Sequence, residues 1–273
     1  MLTLRGVLHL LVVLVALVAM LVWIATIDYP PLAAILYVVV PILAGVSWQA
    51  RRAGMLGPTG DGVAAWLLRA GGYLIAAGIV AVSLAHAHPA TLEAADAGAG
   101  VLGLTTITGS ILIGLAVVSA KRSAATARVL VIGFGAGLAA TVGWLIVVLA
   151  DPPIPASVGW ALTATGLAAV VAVLAGAGRT DSTPGALLAG LLAVTTAMGL
   201  IFVAVLLLAH WGPDRLIPDI TPHALPGYRI SESRIELVDP YILILVLSAI
   251  AATALGLAAV VTRRPVAGVS RPR

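Results

Sequence analysis

The chain contains no cysteine, one lysine, two phenylalanines and, in the middle of its long apolar runs, no Asp, Glu, Lys or Arg. Without cysteine there is no disulfide, no thiolate metal site and no thiol nucleophile. The missing mid-run charge weighs against a proton-coupled pump or antiporter, because ionisable residues at membrane depth are costly and mark proton relays where they occur. Sodium coupling through unwound backbone and hydroxyl groups stays open. Charged residues make up only 10% of the chain, where a soluble domain has about a quarter. That deficit excludes a soluble fold. Arginine outnumbers lysine fourteen to one among abundant Ala, Val and Gly, a bias expected of a high-GC bacterial genome.

What fills the chain is apolar: 61% hydrophobic residues and a mean hydropathy of +1.14 over 273 residues. Runs of about 20 apolar residues recur along its length, as a bilayer core of roughly 30 Å demands of a spanning helix. The reading is an all-α polytopic transmembrane bundle of eight spans, at 5–27, 32–50, 66–88, 100–119, 128–150, 158–177, 185–210 and 241–262. Residues 1–127 hold spans one to four and 128–273 hold spans five to eight, with a long extracytoplasmic loop at 211–240 and a basic tail at 263–273. The first span follows Arg5 as a signal peptide would. Its apolar run of roughly 20 residues exceeds the usual 7–15 of such a leader, so it is read as a permanent helix.

Charge orients the bundle. Twelve of the fifteen basic residues and only two acids, Asp61 and Asp181, fall at one end, while nine acids and three arginines fall at the other. The arginine-rich end is expected to be cytoplasmic and to hold both termini. This sorting explains a pI near 10 better than nucleic-acid binding does, and no nucleic-acid partner is expected. The tail is placed near anionic headgroups. Trp23, Trp144, Trp160 and Trp211 fall toward outer span ends, and Trp48 and Trp66 toward inner ends, as an interfacial aromatic belt requires.

Spacing points to an internal 4+4 repeat. Arg5 to Asp28-Tyr-Pro-Pro is matched by Arg128 to Asp151-Pro-Pro, and "LAHAHP" (84–89) is matched by "LAHWGP" (208–213). An even number of helices per half gives parallel halves, related by an axis along the membrane normal.

Polar chemistry inside the spans is hydroxyl. Thr105, Thr106, Thr108 and Ser110 cluster in span four and are the candidate lining of a polar cavity, although such hydroxyls commonly bond back to their own helix. Gly133/Gly137, Ser110/Gly114 and Ser248/Ala252/Gly256 make small-residue faces that predict close helix packing and a candidate homodimer. The "GFGAG" of span five lies within a helix with no preceding strand, so a phosphate-cradling loop is rejected.

Two candidate sites remain, both outside. His86, His88 and His210 sit at outer span ends, with Glu93, Asp96, Asp214 and Asp219 near in sequence. That donor set would suit a divalent metal such as Zn²⁺ or Cu²⁺; a haem clamped by two histidines is the weaker variant, since no second matched pair lies across the bilayer, and no other cofactor is expected. His9 lies one turn inside the opposite interface.

The second site is the loop itself, which gathers eight of the chain's 26 charged residues and five prolines into 208–241. "PDRLIPDITPHALPGY" is too proline-rich for regular helix. "SESRIELVDPY" has capping-box spacing at Ser233 and Glu236, which predicts a turn or two of interfacial helix. Asp239-Pro240 is expected to start span eight. Connectors between helices usually run about 2–8 residues, so the loop's length asks for a role. Arg215, Asp219, His223, Arg229, Glu232, Arg234 and Glu236 are its candidate partner-binding residues. An enzyme would draw on Asp28, Asp151, Asp214, Asp219, Glu232 and Glu236 with His86 and His210, but no spacing ties these into a motif. The expectation is a multi-pass protein of a bacterial plasma membrane, contacting lipid. It would serve as a non-catalytic scaffold or accessory subunit that docks an envelope protein through 211–240. A small-molecule or lipid transporter is the alternative, and an outer-face metal protein or enzyme a further one.

Overall fold

The structure is a computed structural model that describes residues 4–25, 30–52, 54, 56–86, 97–123, 125–150, 157–180, 182–217 and 223–262. Among these, the chain is a succession of helices: α1 (Leu4–Ile24), α2 (Pro30–Arg52), α3 (Val63–Ala85), α4 (Ala97–Ser119), α5 (Ala127–Ala150), α6 (Ser157–Thr180), α7 (Thr183–Trp211), α8 (Arg229–Glu236) and α9 (Val238–Val261). A single 3₁₀ turn, Asp214–Leu216, follows α7. Each predicted span coincides with a helix to within three or four residues at either end. Six segments are long and apolar enough to cross a bilayer: α3, α4, α5, α6, α7 and the α8–α9 unit. The protein is therefore a multi-pass helical membrane protein. Helices α1 and α2, with 21 and 23 residues, complete the set of eight long helices.

Helix α7 is the axis of the bundle. Most of its length is buried, including Leu188, Leu192, Met198, Ile201, Phe202 and Val205, and it packs against α3, α4, α5, α6 and α9. Because α7 is apolar on every side, it can lie fully inside; a helix with a polar stripe could not. Its start is set by Ser182, whose Oγ accepts from the Gly185 N–H at 3.3 Å, with Pro184 in the first turn.

Small residues set the spacing around it. A Cβ at Gly133 would stand 2.6 Å from the Ala189 carbonyl oxygen, and one at Gly137 2.6 Å from that of Ala193. The GxxxG face of α5 is thus spent on α7 within this chain. Gly114 meets Thr195 of α7, and Gly256 of α9 meets Val46 and Leu191. Between α6 and α9, Thr165 and Ser248 share a hydroxyl–hydroxyl hydrogen bond of 2.8 Å. The predicted small-residue faces all pack inside the bundle, so a homodimer would have to use other surfaces.

The two halves share helix order but not packing. In the second half α5, α6 and α7 contact one another extensively; in the first, α1 and α2 pack together and onto α4, without comparable contact to α3. The pairs that a parallel repeat would bring to its axis, α3 with α7 and α4 with α9, do touch.

Three sequence expectations are corrected. Trp144 is not an interfacial residue: it is 2% exposed and packs edge-on to Tyr241, with ring centroids 5.7 Å apart. Its span end is covered by the first turn of α9, which sequence periodicity does not reveal. Ser233 is not a cap. It is buried inside α8, which begins at Arg229 after Tyr228. Asp239 is not the N-cap of the last span: it lies with Pro240 inside the first turn of α9, because the backbone runs helically through Leu237.

At the arginine-rich end, Arg69 of α3 reaches across to three oxygens. Its Nε donates to Ser119 Oγ (3.0 Å), Nη1 to the Gly57 carbonyl (2.9 Å) and Nη2 to the Ala116 carbonyl (3.0 Å). The connector after α2 is held along the end of α4 by Gly60 N–H to the Ser119 carbonyl and Lys121 N–H to the Pro58 carbonyl, each 2.9 Å. Lys121 also pairs with Asp61 at 2.9 Å.

Candidate functional site

The opposite end of the bundle carries the long polar segment, and its ordering begins where α7 stops. A helix C-terminus leaves its last carbonyls without intrahelical donors and carries partial negative charge. Arg234 of α8 supplies both lacks. Its Nη1 donates to the carbonyls of Ala209 (3.0 Å) and Leu208 (3.3 Å), and its Nη2 to the Gly212 carbonyl (2.8 Å) and Asp214 Oδ1 (2.6 Å). Gly212 permits the sharp exit this requires, since a Cβ there would stand 2.5 Å from the Leu208 carbonyl oxygen. One guanidinium thereby ties α8 to the end of α7 and to the 3₁₀ turn.

Helix α8 is fixed on its inner side by buried Ser233 and by Leu237, the residue joining it to α9. Its outer side and the preceding turn remain open: Leu225, Tyr228 and Ile235 are 70%, 62% and 72% exposed. His223, Glu232, Glu236 and Arg215 are exposed beside them. Among the described residues, the stretch 223–237 of the predicted loop is a short platform clamped to the end of α7.

Beside the clamp the two matched histidines meet. The rings of His86, just past α3, and His210, in the last turn of α7, stack with centroids 3.8 Å apart and planes 19° from parallel. Trp211 stands edge-on to both, at 5.0 Å from His86 and 5.7 Å from His210. Ring nitrogens bind metal in the plane of the ring, and nearly parallel planes 3.8 Å apart do not converge on one ion. His86 Nδ1 is in addition engaged with the Val82 carbonyl at 3.0 Å. Among the described residues no group of three or more His, Cys, Asp or Glu is placed to hold a metal. As arranged, the pair is a contact locking α3 to α7. His88, Glu93, Asp96, Asp28, Asp151 and Asp219 lie outside the described residues, as does the tail 263–273; the side chain of His9 does too.

The hydroxyl cluster of α4 divides. Thr105 is exposed and donates to the Val101 carbonyl at 2.7 Å; Thr106 is buried and donates to that of Leu102 at 2.8 Å. Thr108 and Ser110 hold buried hydroxyls with no protein partner. Ser110 borders a small cavity of about 10 Å³, walled by α2, α4, α7 and α9 through Leu43, Val46, Leu191 and Thr253. That is room for about one water molecule.

Two features of these sites were missed in the sequence. By sequence Arg234 is one of the loop's candidate partner-binding charges, and Arg69 one of the twelve basic residues sorted to one end. A signal existed for Arg69, which stands inside an otherwise apolar run. None existed for Arg234, because its acceptors, three backbone carbonyls and Asp214 Oδ1, lie twenty or more residues earlier in the chain. The chain matches no protein-family model, and no curated protein or solved structure is similar to it.

Proposed function

We propose that this chain is a non-catalytic scaffold or accessory subunit of a bacterial plasma membrane, whose outer segment 211–240 docks an envelope protein. In this reading all eight long helices span the bilayer, with both termini in the cytoplasm and the two halves derived from one four-helix unit. The stacked His86–His210 pair then marks the axis between the halves.

One observation carries the docking role. A connector has only to join α7 to α9, yet Arg234 spends four hydrogen bonds holding α8 in place, while Leu225, Tyr228 and Ile235 point away from the bundle. Exposed aromatic and aliphatic anchors on a pre-ordered element, rimmed by charge, are what a protein interface uses. A transporter is the second reading, supported by the unpartnered hydroxyls of Thr108 and Ser110.

The docking test is photo-crosslinking in native membranes, with the reactive residue at 228 or 235 and a control at Leu174, which is 67% exposed on α6 within a membrane-crossing length. A discrete protein adduct from 228 or 235 and none from 174 is expected; lipid adducts alone at all three overturn the reading. Topology is testable without a background signal, because the chain has no cysteine. Single cysteines at Tyr228 and Gly60 should react with an impermeant maleimide from opposite sides, and labelling from the same side refutes the arrangement.

A further inference from the structure

We infer that the arginine-rich end of the bundle carries a site for the phosphate of an anionic phospholipid, formed by Arg51, Arg52 and Arg122. Helix α2 ends on Arg51 and Arg52, both exposed. The chain then reverses at Gly54, whose φ of +72° an L side chain rarely adopts and whose N–H donates to the Arg51 carbonyl at 2.9 Å. Into this bend comes Arg122 from the connector after α4: a Cβ at Gly54 would stand 3.0 Å from Arg122 Cδ and 3.1 Å from its Nη1. Two parts of the chain thus meet at one turn: the Arg122 side chain reaches the bend, and Arg51 and Arg52 are the last two residues of the helix leading into it.

The charges at this corner are not balanced within the described residues. The nearby acid, Asp61, is already paired with Lys121 at 2.9 Å. Arg69, at the same end, already donates to three oxygen acceptors, one from each of its nitrogens. Arg51 and Arg122 have no carboxylate partner among the described residues, and Arg52 lies over the Trp48 ring, 5.4 Å from its centroid. Stacking uses the face of a guanidinium and leaves its in-plane N–H groups for an anion. Planar, paired N–H donors suit phosphate oxygens, which they engage two at a time.

The occupant is a lipid headgroup because of where the corner sits. Trp48 marks the interfacial level one turn below it. Along the same helix Tyr37 and Val38 are 44% and 51% exposed, an apolar surface against which an acyl chain can lie while its headgroup reaches the arginines. This assignment does not depend on the role of the outer segment.

The test is native mass spectrometry of the full chain, purified in neutral detergent and titrated with phosphatidylglycerol or phosphatidylcholine. Phosphatidylglycerol should be retained preferentially. Each arginine near a membrane surface contributes about fivefold, so Arg51→Gln with Arg122→Gln should weaken phosphatidylglycerol retention about 25-fold and leave phosphatidylcholine unchanged. The same charge change at Arg128 and Arg179 should have little effect. If the double variant does not fold, Arg51→Gln alone, at an exposed position, should still show the fivefold loss. Three results would each overturn the site: no preference for phosphatidylglycerol, equal losses from the two double variants, or displacement of the lipid by millimolar inorganic phosphate.

Discussion

Adding one methyl group at Gly137 should push α5 away from the central helix. The Cβ of alanine would stand 2.6 Å from the Ala193 carbonyl oxygen and 2.7 Å from Thr196 Cβ, where ordinary contacts begin near 3.4 Å. The shortfall is 0.8 Å, and the obstructing oxygen is backbone, which no rotamer change can move aside. A gap of about 0.5–1 Å forfeits roughly a quarter to a half of each contact's dispersion energy along the interface. Overpacking of this kind costs about 1–3 kcal/mol, offset by up to about 1 kcal/mol of helix propensity gained over glycine. A net loss of about 1–2 kcal/mol is expected for Gly137→Ala, and a similar loss for Gly133→Ala. The double variant should lose less than the sum, because one retreat of α5 relieves both clashes. Gly135 is the internal control, with nothing within 4 Å of its built Cβ, so Gly135→Ala should be neutral or slightly stabilising. The assay is helicity and tryptophan fluorescence against SDS mole fraction in mixed micelles, where buried Trp144 on α5 reports the interface. Equal stability of the Gly137→Ala and Gly135→Ala proteins would refute the packing assignment.

Three further outcomes follow from particular contacts. Arg234→Ala removes all four bonds that anchor α8; amide exchange across 229–236 should accelerate at least about tenfold, the equivalent of roughly 1.4 kcal/mol, while the middle of α9 is unchanged. If α8 keeps its protection, the clamp is not what orders the platform. For the Thr165–Ser248 bond, a double-mutant cycle with Thr165→Val and Ser248→Ala should give a coupling of about 0.6–1.7 kcal/mol; a coupling of zero would mean the hydroxyls do not bond in the membrane. Ser110→Ala removes a buried hydroxyl that has no protein partner, so SDS unfolding should show no loss of stability or a gain. A loss above about 1 kcal/mol would instead place a bound, hydrogen-bonded species in the adjoining cavity.

How far the sequence could be read depended on the distance over which each interaction acts. Helix positions came through because a bilayer imposes a length and an apolar composition that can be counted along the chain. The shared "LAH" exits match His86 with His210, and in the structure the two rings stack nearly parallel. Trp144 was misjudged because belt and core positions look alike until it is known that Tyr241 covers the span end. Span four's hydroxyls read as one group, but a rotation of 100° per residue sent Thr105 outward and Ser110 inward. Small residues, likewise, announce close packing without naming the partner, and the faces at Gly133, Gly137, Gly114 and Gly256 pack against neighbours within the chain.

By itself, then, the sequence determined that this protein lives in a membrane, where its helices lie, and which end carries positive charge. Those properties follow from local composition, because every backbone polar group must be satisfied inside its own segment when no water is present. Only the tertiary structure decided that α7 is the buried axis, that Arg69 and Arg234 clamp the two ends, and that Arg122 reaches the bend at Gly54 just past the end of α2. Each of these depends on acceptors or neighbours far away in the chain, and hydrogen bonds act over about 3 Å in space with no regard to separation in sequence.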